Sequence, residues 1–419
     1  MQKNQTESIL LIHHRLPWPL YSGMDKLRFC LLINLSKRYK VTLAVPVYED
    51  TKQEWLDIIG QYVELFTIKV ENNRKRIKNN RWLYIFKVMR LVFSSTPEYS
   101  SENYYEEFKN GLISLIHDKE FAFIQILSDF AACYLPYLPK QVYKITGPMD
   151  DTIELTNRSY QIETNKISKL GLKFLLISIK KYFSFICKRS DLVLFHSIED
   201  MKRVKLYLGF DFNAGVLPVA TERMEEAEEP TETIDTNSLV FVGGFGADFN
   251  QDAAMHLVND ILPIIWGKNP EVKLYLVGNH PTKDIRALGL NPKIIVTGEV
   301  PDVRPYIKKA TVYVSPIRMG TGIKTKIIEA LSMSKALVVS SASLQGLWET
   351  DDSICVSDEN IDFAVKVLAL LQNADLRRKH EKGTYALFNK AYAFSKAETL
   401  TLSCYSEFEK KMQYFNLNE

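Results

Sequence analysis

The chain has 419 residues, 46% of them hydrophobic and 25% charged, with a formal net charge of +3. That length predicts two domains, and the composition is that of an ordinary globular protein, not a disordered or fibrous one. So small a charge argues against a nucleic-acid binder, and five scattered cysteines without a Cys-x-x-Cys pair predict reduced thiols, not a disulfide frame or a zinc site.

The N-terminus is polar, and Ser8–Ile12 is too short for a signal segment. No stretch reaches the roughly 20 apolar residues of a membrane span. The nearest approach, Leu170 to Cys187, is broken by Lys173, Lys180 and Lys181. A cytoplasmic protein is therefore expected. The seven histidines lack ligand spacing, so no structural metal is expected.

Ser8–Ile12 reads as a first strand. It runs into a turn-rich loop, Pro17-Trp-Pro-Leu-Tyr-Ser-Gly23. Asp25 to Arg38 reads as a helix, with Leu27, Leu31, Leu32 and Leu35 at helical spacing, and Val41 to Val45 as a strand. This βαβ opening predicts a parallel sheet, to which Phe121 to Leu127 and Leu192 to His196 add strands. His13 and His14 end the first strand; one of them can face a ligand, although packing within the domain is the commoner outcome. Asp150 and Asp151 follow Gly147-Pro148. They can hold a sugar hydroxyl or an acceptor, or simply cap the helix that Thr152 begins.

The first domain, residues 1–218, ends near Pro218. Residues 219–236 read as a linker, since Glu222 to Asp235 holds seven acidic residues and one basic one, Arg223. A second strand series follows in residues 237–397: Ser238–Val242, Val272–Val277, Lys293–Val296, Thr311–Val314 and Ala336–Val339. Helical patterns such as Asp252 to Trp266 separate most of them. The fold class is α/β, with two doubly wound sheets and a cleft at the carboxyl ends of their strands. Residues 398–419 read as a terminal helix.

The most telling stretch is Pro316-Ile-Arg-Met-Gly-Thr-Gly-Ile-Lys-Thr-Lys-Ile-Ile-Glu-Ala330, a Gly-rich turn between a buried strand and a helix start. Backbone N–H groups there can hold an anion. Lys324 and Lys326 add positive charge, although Lys326 reads equally as a solvated surface lysine. Glu329, one turn into the helix, can accept hydrogen bonds from sugar hydroxyls, or can simply favour the helix dipole. Phosphate at one end and hydroxyls at the other describe a nucleotide sugar. Gly243-Gly-Phe-Gly246 fails as a dinucleotide fingerprint, because Phe249 stands where the third small residue belongs. These glycines read as backbone open to close approach.

This stretch resembles the donor-binding element of retaining glycosyltransferases of the GT-B fold, family four. Their pattern has two glutamates with seven residues between; Glu329 matches the second and Thr321 stands at the first. Other elements of this family's order are Phe241-Val-Gly-Gly-Phe245, Asn250-Gln-Asp252, Leu276-Val-Gly278 and Thr297-Gly-Glu-Val300. In the first domain, Pro17-Trp-Pro with Ser22-Gly23 and Arg28 is similar to the family's N-terminal loop, and Asp191 to Ser197 with Asp200 to a later strand element. The Arg and Lys-Gly that many members place after the second domain's first strand are missing.

The resemblance implies a GT-B enzyme whose terminal helix crosses back to the first domain. It implies transfer of a sugar, with retention, from a nucleotide diphosphate to a glycan or lipid-linked acceptor, with no metal or other cofactor. Thr321, Lys324 and Asp150 are then the catalytic candidates. Gly23, Gly243, Gly244, Asn250, Val300, Arg318, Gly320, Gly322, Ile323, Lys326 and Glu329 are the substrate-binding ones. Two other readings stay open: a catalytically weak GT-B scaffold, and a nucleotide-sugar epimerase of the same shape, for which no acid and base pair stands out.

Two basic stretches complete the reading. Lys69 to Arg90 has eight basic residues and one acidic, and Lys166 to Arg189 has seven basic and none acidic. Each is a solvated helix face or a contact with the inner face of a membrane. No nucleic-acid motif accompanies them.

Overall fold

The computed structural model describes residues 7–20, 23–71, 103–217, 235–319 and 322–416. Thus residues 72–90 of the first basic stretch, and the acidic segment up to residue 234, lie outside the described residues. The chain divides into two compact units, residues 1–218 with 398–419, and residues 219–397.

In the first unit the strands are β1 (Ser8–Ile12), β2 (Lys40–Val47), β3 (Glu64–Lys69), β4 (Phe123–Ile126), β5 (Tyr143–Met149), β6 (Leu192–Phe195) and β7 (Ala214–Val216). Among the described residues they form one parallel sheet in the order β3-β2-β1-β4-β5-β6-β7. Both faces are buried. Ile9 and Leu11 of β1 enter one apolar cluster while Leu10 and Ile12 enter another, as strand alternation requires.

The helices covering the sheet are α1 (Gly23–Ser36), α2 (Gln53–Gly60), α3 (Glu106–Asp118), α4 (Thr152–Ile162), α5 (Lys166–Arg189) and α6 (Ile198–Leu208). Three of them begin at a capping side chain: Asp151 accepts from Glu154 N–H at 2.9 Å, Asn165 from Ile167 and Ser168, and Ser197 from Asp200 N–H at 3.1 Å. Strand β3 had no counterpart in the sequence reading. It is a half-exposed edge strand, so its residues never needed a continuous apolar run.

The second unit holds β8 (Asp235–Val242), β9 (Lys273–Val277), β10 (Ile294–Gly298), β11 (Ala310–Ser315), β12 (Leu337–Val339) and β13 (Cys355–Val356), ordered β10-β9-β8-β11-β12-β13. Its helices are α7 (Asp248–His256), α8 (Lys283–Leu288), α9 (Arg304–Lys309), α10 (Thr325–Ser332), α11 (Asn360–Gln372) and α12 (Ala374–Leu387). The helix expected from Asp252 to Trp266 is interrupted. After α7 a π turn spans Leu257–Ile261, and a short helix Leu262–Trp266 carries Pro263 in its first turn. Proline has no N–H to give the preceding turn, and the wider turn absorbs that loss.

Helix α13 (Phe394–Asn416) returns to the first unit. Tyr405 is fully buried there against Phe123 and Tyr39, and its hydroxyl donates to Gln125 Oε1 at 2.5 Å. Lys37 pairs with Glu398 at 2.5 Å, and Glu409 takes both Arg38 and the Tyr39 hydroxyl.

Candidate functional site

Each sheet has one place where strand order reverses, and there the loops leave in opposite directions and open a crevice. In the second unit it lies between β8 and β11, in the first between β1 and β4.

The β8–β11 crevice gathers most of the expected residues. On the β8 side the loop is drawn tight against the loop after β9. Gly278 has φ of 155°, and a Cβ on it would stand 1.8 Å from the Gly243 carbonyl oxygen, so only glycine fits. Phe245 N–H donates to Asn279 O at 2.9 Å. Asn250 is buried, and its amide Nδ2 donates to Gly244 O at 2.9 Å. Its role here is to hold the Gly243–Gly244 turn. Val300 lies just beyond β10, whose last residue is Gly298.

On the β11 side the Gly-rich loop leads into α10. Gly320 and Thr321 lie outside the described residues. Gly322 has φ of 70°, and it and Ile323 lie so close to Gly346 that a Cβ there would meet Ile323 Cγ1 at 2.9 Å. Lys324 is the residue before the first helical one. It is buried; its Nζ donates to Gly322 O at 3.1 Å and lies 5.6 Å from the centre of the Phe249 ring. The Lys324 side chain does not cap the helix, and Ile327 N–H donates to Lys324 O at 2.9 Å. A serine network fixes the neighbouring loops: Ser340 Oγ donates to Ile317 O at 2.5 Å and Ser343 Oγ to Ser315 O at 2.6 Å.

Lys326 does not stand free beside the loop. Its Nζ lies 2.6 Å from Glu329 Oε2, and Glu329 is almost fully buried. The Tyr313 phenol of β11 is pushed well above its ordinary range, by burial and then by the Glu329 charge. Arg318 is engaged too, forking onto Asp252 at 3.0 and 2.5 Å beside a cavity of about 230 Å³ lined in part by Ser340, Ser357 and Asn360. That bond raises the Arg318 pKa.

The β1–β4 crevice collects polar groups that the sequence reading names, among them His13, Arg28, Asp150 and Asp200, together with Asp129, which it does not. Gly23 opens α1, and Arg28 follows a turn later. His13 and His14 are both buried; His13 Nδ1 lies 2.5 Å from Arg15 O, and His14 Nδ1 lies 3.0 Å from Ser128 Oγ. Asp150 is half-buried after β5, beside Asp151, which caps α4 and accepts from Arg203 Nε at 2.9 Å. Asp129, after β4, has its carboxyl pushed up to about 6 by burial and then by Asp150. Asp200 rises to about 6 by burial. Burial holds His13 well below, and His196 below, the usual imidazole range, so both are neutral near pH 7. His196 follows β6 directly, whereas Asp129 stands three residues beyond the end of β4.

Residues 236–373 match the family model described as glycosyl transferases group 1. No curated protein matches the sequence. Solved structures match over nearly the whole length. Anabaena HepE in complex with UDP aligns with a TM-score of 0.62 at 11% identity, over 96% of this chain and 100% of that one. Sucrose-phosphate synthase of Thermosynechococcus elongatus aligns with a TM-score of 0.65 at 12% identity, over 96% and 99%. A glycosyltransferase of Rickettsia africae aligns with a TM-score of 0.60 at 12% identity, over 96% and 99%. The fold is GT-B. Among the described residues no three His, Cys, Asp or Glu side chains converge as a metal site would need, and no helix is long and apolar enough to cross a membrane.

Proposed function

We propose that the chain is a glycosyltransferase that moves a sugar from a nucleotide diphosphate to a glycan or lipid-linked acceptor, with retention and without a metal. The observation that carries this reading is the β8–β11 crevice. It joins a helix start that its N-cap side chain leaves uncapped, the buried Lys324 and the buried Glu329 within the segment that matches the group 1 model. HepE has also been solved with UDP-glucose, which agrees with a nucleotide-sugar ligand.

In this reading Glu329 accepts from the ribose hydroxyls. The loop amides and Lys324 stabilise the diphosphate as the bond from the sugar C1 to the phosphate oxygen breaks. The acceptor oxygen bonds to C1 on the same face, and its proton passes to the departing phosphate. Asp150 holds an acceptor hydroxyl. Helix α5 supports the lipid-linked choice of acceptor, because Ile167, Leu170 and Ile177 are exposed among Lys166, Lys173 and Lys181.

The test incubates the chain with α-linked UDP-, GDP- and ADP-sugars and a panel of neutral glycans, and reads the product by NMR. An α-linked product supports the reading and a β-linked one overturns retention. Nucleotide binding without any turnover favours the scaffold reading, to which the threonine at 321 points.

A further inference from the structure

The β1–β4 crevice of the first unit contains more unsatisfied polar atoms than packing explains. His13 Nε2, Arg28 Nε, Asp129 Oδ2, both ring nitrogens of His196 and Asp200 Oδ2 are buried and without a hydrogen-bond partner among the described residues. His13, Asp129, His196 and Asp200 are each 8% exposed or less. A buried polar group without a partner is costly, so such a concentration marks a place where a ligand or water completes the bonding.

These groups lie within electrostatic reach of one another. Arg28 acts electrostatically on His13, Asp129 and His196. Asp150 acts on Arg28, Asp129, His196 and Asp200. His13, Asp150 and His196 directly follow the neighbouring strands β1, β5 and β6, Asp129 comes three residues after β4, and helices α1 and α6 add Arg28 and Asp200.

The charge of the crevice limits what can enter. Arg15 is paired with Asp25 at 2.5 Å, and Arg203 is shared by Asp151 and Asp200. Arg28 is left to face both Asp129 and Asp150. A phosphate or carboxylate would meet excess negative charge at close range. A polyol meets no such penalty. Each of its hydroxyls can donate to a carboxylate oxygen and accept from a guanidinium or an imidazole N–H.

We propose that this crevice binds an uncharged pyranose and rejects sugar phosphates, with Asp129 and Asp150 accepting from its hydroxyls and Arg28 and His196 donating to them. The proposal rests on the glycosyltransferase reading only in naming the sugar's two sources, the acceptor's terminal residue and the sugar being transferred. It adds the charge class and the residues that select it.

The test uses saturation-transfer NMR on the full chain without nucleotide. The probes are methyl glycosides of glucose, galactose, mannose and N-acetylglucosamine, with the 6-phosphates of glucose, mannose and N-acetylglucosamine. The expected result is transfer to at least one glycoside, at least tenfold weaker binding of its 6-phosphate, and at least tenfold loss in Asp129→Asn and in Asp150→Asn. Asp150 is half-buried, so its variant keeps the fold even if Asp129→Asn does not. Competition by UDP-glucose but not by UDP assigns the place to the transferred sugar; no competition assigns it to the acceptor. Tighter binding of a 6-phosphate, no transfer to any glycoside, or transfer unchanged in both variants overturns the proposal. Thermal stabilisation by nucleotide, read on the same samples, reports separately on the donor-site reading.

Discussion

Lys326 Nζ stands 2.6 Å from Glu329 Oε2 within α10, and the carboxylate it neutralises is almost fully buried. The lysine that opposes the helix dipole at the first turn is thus answered by the residue one turn on. Removing the lysine takes this cation from a buried carboxylate. Because Lys326 is a third exposed, Lys326→Met is expected to cost about 1–3 kcal/mol, below the figure for a fully buried pair. Urea unfolding checks this, and Glu329→Gln in the same chain should restore most of the loss. An additive double variant would show that the pair does not matter.

Among the described glycines of the second unit, Gly278 has the closest neighbour. Its φ of 155° and the 1.8 Å approach to Gly243 O leave no room for a methyl group. Gly278→Ala is expected to destabilise the unit by more than about 3 kcal/mol. Thermal unfolding reads the change, and a shift of under one degree would mean the loops separate freely.

Arg318 makes the opposite case. Its fork onto Asp252 is half-exposed, so Arg318→Ala is expected to cost under about 1 kcal/mol. A double-variant cycle with Asp252→Ala measures the coupling, and a coupling above about 2 kcal/mol would contradict this surface role.

Much of the fold was legible because buried parallel strands are short apolar runs. Ser8–Ile12 and Thr311–Val314 could hardly be anything else. What the sequence could not show was pairing between side chains. Nothing in the spacing of Arg318 and Asp252, 66 residues apart, announces their ion pair. The grouping of side chains in the β1–β4 crevice was hidden for the same reason. His13, Asp129, Asp150 and His196 follow four separate strands, and only the strand order brings them together. Asp151 was legible as a helix cap, because a cap depends only on the residues just after it.

The terminal helix provides a fourth prediction. The Tyr405 hydroxyl satisfies Gln125 Oε1, while Gln125 Nε2 donates to Gly147 O at 2.8 Å. Tyr405→Phe leaves that buried oxygen without its donor and is expected to cost about 1–3 kcal/mol. Urea unfolding measures it, and an unchanged midpoint would contradict the packing of α13 on the first unit.

The Asp129 carboxyl sets a pH dependence. Its pKa in the fold, about 6, lies above the ordinary value because burial, then Asp150, disfavours the charge. A raised carboxyl adds stability that is fully present below the unfolded pKa near 4 and is lost as pH rises through 6. Arg28 acts in the opposite sense on the same group, while His13 and His196, with lowered pKa values, lose stability as pH falls. Comparing Asp129→Asn with the unaltered chain isolates the Asp129 share. The variant should gain on the order of 2–3 kcal/mol relative to the unaltered chain between pH 4 and pH 7.5. A constant difference across that range would contradict it.

The most direct measurement is thermal unfolding of the chain against UDP, GDP, ADP and their sugars, with Glu329→Ala in parallel. A nucleotide held in the β8–β11 crevice predicts saturable stabilisation by one nucleotide family, about 2.7 kcal/mol at a hundred times its Kd, and its loss in the variant. No shift with any nucleotide, or an equal shift in the variant, would contradict a donor site built on Glu329.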